Sequence, residues 1–310
     1  MDCQAFIEQQ IASLRQTVGD GLAINALSGG VDSSVVTVLG HRALGDRLKT
    51  VFIDNALMRE GEPERVVQMF AELDIPVRRV DAMQEFLGAL AGLTDPEEKR
   101  RAITATFYRE VFGRLVRESG ARFLLHGTIL TDIEETVAGI KRQHNILAQI
   151  GIDPEQEYGY QVLEPLATLR KDGVRELALQ LGLPSEITER IPFPGPALAT
   201  RIVGEVTPER LATVRTATAI VEEELAETHA FQYMAVLLQD KATGIRDGRR
   251  EFGDIIVVRC IDSVDARKAT AVELPWAKLA RICERITAVP GVNRCLYDLT
   301  PKPPATIEYV

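Results

Sequence analysis

A chain of 310 residues with a formal net charge of -9 can bury two ordinary cores, and its acidic balance excludes broad electrostatic capture of nucleic acid, which needs clustered Lys and Arg. Hydrophobic residues at 45% and charged residues at 26% describe a soluble globular chain, with no stretch long enough for a membrane span. The four cysteines Cys3, Cys260, Cys283 and Cys295 have neither zinc-site nor disulfide-framework spacing, so reduced thiols are expected.

The start, MDCQAFIEQQIASLRQ, lacks the basic leader and apolar block of a targeting segment, which predicts a cytoplasmic protein. Phe6, Ile7, Ile11 and Leu14 recur at helical spacing and predict a first amphipathic helix over residues 5–17. Short apolar runs follow at 21–27, 49–54, 76–80 and 122–126, with helical segments of ten or more residues between them. Strands alternating with helices imply an α/β fold, a doubly wound parallel sheet with right-handed crossovers. Thr94-Asp95-Pro96-Glu97-Glu98 carries a cap, a first-turn proline and two acids where the helix dipole favours them, and that helix runs through Phe107, Val111, Phe112 and Leu115 to Ser119-Gly120. Residues 139–160 mix Lys141, Arg142, Gln143, His144 and Asn145 with Gly151, Pro154 and Gly159, and predict a mobile loop or lid. Lys171 to Leu181 predicts a further helix.

The alternating prolines of Ile191-Pro192-Phe193-Pro194-Gly195-Pro196 suit neither helix nor strand ladder and predict a domain boundary. On this reading 1–190 is an α/β domain, 191–198 a linker and 199–310 a smaller α+β domain. That second domain should hold helices at 209–228 and 274–289 and strands at 231–238, 254–262 and 295–299.

Between the first apolar run and the next helix stands Leu27-Ser28-Gly29-Gly30-Val31-Asp32-Ser33-Ser34. A strand that ends in Ser-Gly-Gly and turns into a helix gathers free backbone N–H groups around one point. The glycines admit an anion, the helix dipole attracts it, and the serine hydroxyls add donors. Asp32 would repel phosphate unless a divalent cation lies between them, which predicts Mg²⁺. There is no G-x-x-x-x-G-K-[ST] and no G-x-S-x-G here.

This loop resembles the pyrophosphate loop of ATP pyrophosphatases, which split ATP between its α and β phosphates and pass AMP to an acceptor oxygen. Further blocks look like those of the GMP synthetase family, in order: Val51-Phe52-Ile53-Asp54-Asn55-Ala56-Leu57-Met58-Arg59, Thr94 to Arg100, His126-Gly127-Thr128, Ile140 to Asn145, Phe193 to Ala199 with Arg201, and Lys302-Pro303-Pro304-Ala305-Thr306-Ile307-Glu308. The resemblance implies ATP-dependent amination of XMP through an adenylated intermediate. It assigns Ser28, Gly29, Gly30, Val31, Asp32, Ser33 and Ser34 to pyrophosphate, and Val51, Phe52, Asp54 and Gly127 to the adenosine side. Asp32 and Lys141 take the catalytic roles, with Asp32 at the metal and Lys141 at a phosphate. Arg201, Gln232, Arg249, Lys302, Ile307 and Glu308 go to XMP. The implied partners are a separate glutamine amidotransferase subunit and a second copy of the chain, with no nucleic acid and no membrane.

The match has departures. Gln143-His144-Asn145 stands where two histidines precede asparagine, His126 where glutamine is usual, Thr131 where proline is usual, and Tyr309-Val310 at the usual Trp-Glu ending. They leave open a paralogue that adenylates another acceptor, for amidation or sulfur transfer, and a non-catalytic nucleotide-binding subunit.

Overall fold

The computed structural model describes residues 2–137, 160–188, 191, 193–264 and 266–310. Its chain divides into two compact units. The first comprises Met1–Asp54, Pro63–Ala82 and Thr104–Arg190, and the second Asn55–Glu62, Met83–Ile103 and Ile191–Val310. The chain changes unit at 190/191, and two N-terminal segments also belong to the second unit.

In the first unit, β1 (Ala23–Ala26), β2 (Leu48–Asp54), β3 (Val77–Asp81), β4 (Phe123–Leu125) and β5 (Gln161–Leu163) form one sheet in the order β3-β2-β1-β4-β5. Every pairing is parallel. The α/β expectation holds. The strand order reverses between β1 and β4, and such a reversal opens a crevice beyond the carboxyl ends of those two strands. The core lies on both faces of the sheet: Ile24, Val51, Phe52, Ile53, Leu124 and Leu125 are buried in it. Helix α1 (Cys3–Val18) begins on the Asp2 carboxylate, which accepts from Ala5 N–H, and α2 (Val31–Leu44) begins directly after the loop that follows β1. The helix expected across 96–119 is continuous, but its middle, Thr106–Phe112, winds as a π-helix. It ends at Gly120, whose φ of 66° is left-handed.

In the second unit, β6 (Gln232–Arg246) and β7 (Arg249–Asp262) form a long antiparallel hairpin, with β8 (Thr270–Ala271) antiparallel and β9 (Val292–Tyr297) parallel to β7. Asp247 and Gly248 turn it with φ of 51° and 74°, the two positive values of a type I′ turn. The strands run further toward this turn than their apolar stretches indicate, because main-chain pairing from Lys241 to Arg246 continues after the side chains turn polar. A long helix, Pro208–Leu225, opens with Thr207 capping Arg210 N–H, and a shorter one, Trp276–Thr287, precedes β9.

Two cations, buried Lys99 and half-buried Arg210, hold the segment between Arg201 and that long helix. Lys99 Nζ donates to Ile202 O at 2.7 Å and Gly204 O at 2.9 Å, while Arg210 donates to Val203 O at 2.8 Å and Glu205 O at 2.6 Å. Burial, aided by the charge of Arg210 and opposed by Asp95, pushes the Lys99 amine down to about 8 from its usual 10.5. Between those values the unfolded chain binds more protons than the folded one, so stability rises with pH in that window, and below it this group adds no pH dependence. The melting temperature of the native chain should therefore gain on that of Lys99→Met between pH 8 and 10.5, measured by scanning calorimetry. A difference that stays flat across the window would mean that Lys99 titrates normally.

Candidate functional site

The first candidate site stands at the sheet's reversal point. Gly29 takes a φ of 76°, a conformation that only glycine adopts at little cost, and Gly30 caps α2 from an extended conformation with no side-chain cap bond. The hydroxyls of Ser33 and Ser34 both donate to Gly30 O, at 3.0 and 2.8 Å. Ser33 Oγ in turn accepts from Ser28 N–H at 3.2 Å and lies 2.9 Å from Ser28 Oγ. The serines thus brace the turn while the first N–H groups of α2, which have no helical acceptor, stay uncapped. Beneath them Thr37 donates to Ser33 O at 2.8 Å, Asn25 Nδ2 donates to Thr37 Oγ1 at 2.6 Å, and Thr50 donates to Asn25 Oδ1 at 2.8 Å. This buried chain ties the start of α2 to β1 and β2.

Beyond β4, Gly127 closes against this corner. A Cβ there would lie 3.3 Å from the Asp32 carbonyl carbon and the Ser33 nitrogen, so a side chain would press on the peptide units that an anion would use. Its neighbours are also held: Thr128 donates to Glu164 Oε1 at 2.6 Å, and His126 Nδ1 lies 2.9 Å from Thr128 Oγ1. Since the Thr128 proton is directed to Glu164, His126 must donate through Nδ1. Burial pushes the His126 pKa down against the opposing charges of Glu164 and Asp132, which favours the neutral ring.

Asp32 has two differently placed oxygens. Oδ2 accepts from Lys171 Nζ at 2.6 Å, whereas Oδ1 is buried and has no hydrogen-bond partner among the described residues. An orphaned carboxylate oxygen beside an uncapped helix start is a cation ligand in waiting. Among the described residues no group of three His, Cys, Asp or Glu could hold a metal alone. This suits Mg²⁺, which takes one or two carboxylates and draws its other ligands from substrate phosphates and water.

The remaining residues expected at this site are placed less uniformly. Val51 and Phe52 are buried in the sheet, at 3% and 0% exposure, so their side chains serve the core. Val51 O also accepts from Leu27 N–H. Asp54 ends β2 and receives Arg79 Nη2 at 2.6 Å; this bond and that to Glu64, against burial, hold the Arg79 guanidinium above its usual range. Lys141 and the expected lid through residue 159 lie outside the described residues; Tyr160, its last residue, is buried. Lys171 was not anticipated. Its signal in the sequence is a cation in the first turn of Lys171–Gln180, where the helix dipole disfavours positive charge.

The second candidate site lies in the second unit. Arg201 is fully buried, and among the described residues none of its Nε, Nη1 and Nη2 atoms has a hydrogen-bond partner. The Glu308 carboxylate lies 3.5 Å from its Nε. Burial pushes the Arg201 pKa down, and Glu308 opposes this. Glu308 also accepts from Gln232 Nε2 at 2.5 Å and Thr200 Oγ1 at 3.4 Å. Arg59 and Arg201 both lie over the Phe193 ring, 3.9 and 4.7 Å from its centroid, and Arg59 pairs with Glu222 at 2.5 Å. Two guanidinium groups against one ring, one of them without a hydrogen bond, make a receptor for an anionic or hydrogen-bonding planar ligand.

Of the residues expected around XMP, Arg201, Gln232 and Glu308 meet here. Ile307 packs nearby on Met234, Val236 and Val257. Arg249 instead pairs with Arg246 beside the hairpin turn, and Lys302 Nζ donates to Ala266 O at 2.8 Å. Arg59, Phe193 and Glu222 join the cluster without having been assigned to it, since nothing local in the sequence links positions so far apart.

Comparison with known proteins covers both sites. The family model for NAD synthase matches residues 2–106, and that for the GMP synthase C terminal domain matches residues 219–309. The chain is 51% identical over 310 residues to the B subunit of the glutamine-hydrolyzing GMP synthase of Archaeoglobus fulgidus, covering 100% of both chains. It is 49% identical to the protein of the same description from Methanopyrus kandleri, covering 99% of each. Against that of Thermococcus kodakarensis it is 50% identical, covering 98% of each.

Proposed function

The chain belongs to the family of GMP synthase B subunits, and from that membership we propose that it aminates XMP to GMP at the expense of ATP. The observation that carries this reading is the 51% identity that runs the full length of both chains. XMP oxygen O2 attacks the α phosphorus of ATP and the bond to the β phosphate breaks, giving adenylated XMP and pyrophosphate. Ammonia then attacks the activated carbon, AMP leaves with the oxygen, and the nitrogen's surplus protons pass to solvent. An amide-like oxygen leaves poorly until it carries AMP, so most of the enzyme's work is orientation and charge neutralisation.

In this reading residues 1–190 hold ATP, 191–198 connect, and 199–310 hold XMP and pair two copies of the chain. Ser28, Gly29, Gly30, Val31, Asp32, Ser33 and Ser34 cradle the β and γ phosphates through backbone N–H groups, the Ser33 and Ser34 hydroxyls bracing the turn through Gly30 O. Lys171, 2.6 Å from Asp32, supplies the cation that a Walker loop carries in its own sequence. Asp32 would hold Mg²⁺, and the ion when bound would neutralise phosphate charge. Gly127 and the backbone of Val51, Phe52 and Asp54 border the adenosine, and Lys141 reaches a phosphate. Arg201 and Arg59 receive the anionic nucleotide, Gln232 and Glu308 its base or ribose, Ile307 supports Glu308, and Arg249 and Lys302 complete the site.

Nitrogen comes as ammonia from a glutamine amidotransferase subunit, in the cytoplasm. Two of the thiols are poor nucleophiles: burial first of all pushes Cys260 up to about 11 and Cys295 up to about 12, where the reactive thiolate is scarce at neutral pH. Purified chain with ATP, Mg²⁺, XMP and ammonium chloride should yield GMP, AMP and pyrophosphate in equal amounts by chromatography. Pyrophosphate released with a different acceptor but not with XMP would sink the assignment.

A further inference from the structure

Arg259 stands within β7, in register with Met234 of β6, and is 1% exposed. Its guanidinium grips the C-terminal tail at both ends. Nη1 donates to Asp298 Oδ2 at 2.5 Å and to Thr300 O at 2.9 Å, and Nη2 to Thr306 O at 3.0 Å. Between these anchors Lys302 and Ala269 exchange both main-chain hydrogen bonds, at 2.8 and 3.1 Å. Immediately past the last anchor come Ile307, packed on the sheet, and Glu308, which touches Gln232, Thr200 and Arg201.

We propose that Arg259 is a positioning residue for the nucleotide acceptor: by holding Thr306 O and Asp298 it sets the place of Glu308, and through Glu308 the aim of Arg201 and Gln232. The inference rests on the reading of this cluster as the XMP site. A role in stability alone explains Arg259 poorly. Its Nε is buried and has no partner among the described residues, and a buried ion pair can often be replaced by apolar side chains with no loss of stability. Burial also works against the Asp298 charge, although the hydrogen bonds from Thr300 and Arg259 hold its carboxyl below the usual range. What the guanidinium offers that an apolar side chain does not is a planar fork that holds three acceptors in fixed directions.

The test uses the full chain with ATP, Mg²⁺, XMP and ammonium chloride, and compares Arg259→Met and Arg259→Lys with the native chain. Arg259→Met should raise KM for XMP about tenfold or more, while kcat at saturating XMP and KM for ATP stay within about twofold, the signature of lost uniform binding of one substrate. Arg259→Lys should recover part of the loss. A folded Arg259→Met with native KM for XMP would overturn the inference, as would a parallel fall in kcat, ATP binding and melting temperature, which marks a structural role. If Arg259→Met does not fold, Arg259→Lys and Asp298→Asn are judged by the same split. The native chain separates the two readings: if it makes no GMP the acceptor assignment fails and this inference with it, whereas native turnover with an unchanged variant sinks this inference alone.

Discussion

Asp32→Ala should lower GMP formation by about three orders of magnitude while leaving the far-ultraviolet dichroism spectrum unchanged, because groups aimed at developing phosphate charge carry rate effects of that size. Loss of fold is too small an effect to explain such a drop. The Asp32 and Lys171 side chains are 26% and 44% exposed, and solvent-screened pairs contribute about 0–1 kcal/mol, with a similar amount for an acid in a helix's first turn. The carboxylate's remaining role is the one its orphaned Oδ1 suggests. A second measurement separates metal binding from turnover: pyrophosphate with Mg²⁺ should raise the melting temperature of the native chain, and omission of Mg²⁺ or the Asp32→Ala change should remove most of that rise. An undiminished rise in the variant would mean that Asp32 does not hold the cation, whatever the activity does.

The loop was legible in the sequence because its chemistry is local. Strand, two glycines, hydroxyls and acid follow one another, and each has its meaning from its immediate neighbours. The partners that complete it are not local: Lys171 meets Asp32 across 139 positions, and the pairing of Arg59 with Glu222 spans 163. The sheet followed the same rule. β1 to β4 announced themselves as apolar runs, whereas β5 is only Gln161-Val162-Leu163, too short for an alternation to register, and it owes its existence to pairing with β4. Lys302 and Arg249 show the converse. Family blocks named them, and among the described residues Lys302 Nζ bonds Ala266 O, 36 positions away, while Arg249 pairs in register with Arg246 beside the hairpin turn.

Arg201→Met should weaken XMP about a hundredfold, read as KM, and at the same time hold or raise the melting temperature. A fully buried guanidinium whose three nitrogens all lack hydrogen bonds costs the folded state its desolvation, and the ion pair to Glu308 at 3.5 Å recovers only part of it. A long apolar side chain of similar length keeps the packing on Phe193 and removes that cost. A residue that destabilises its own fold persists where a ligand supplies the missing acceptors, and two charge-assisted hydrogen bonds to a nucleotide, at about 1.5–3 kcal/mol each, account for the expected loss. The opposite signs of the two effects distinguish this from ordinary core damage, in which stability and binding fall together. If Arg201→Met melts several degrees lower and binds XMP as the native chain does, Arg201 is a structural cation and the acceptor site must be sought elsewhere in the second unit.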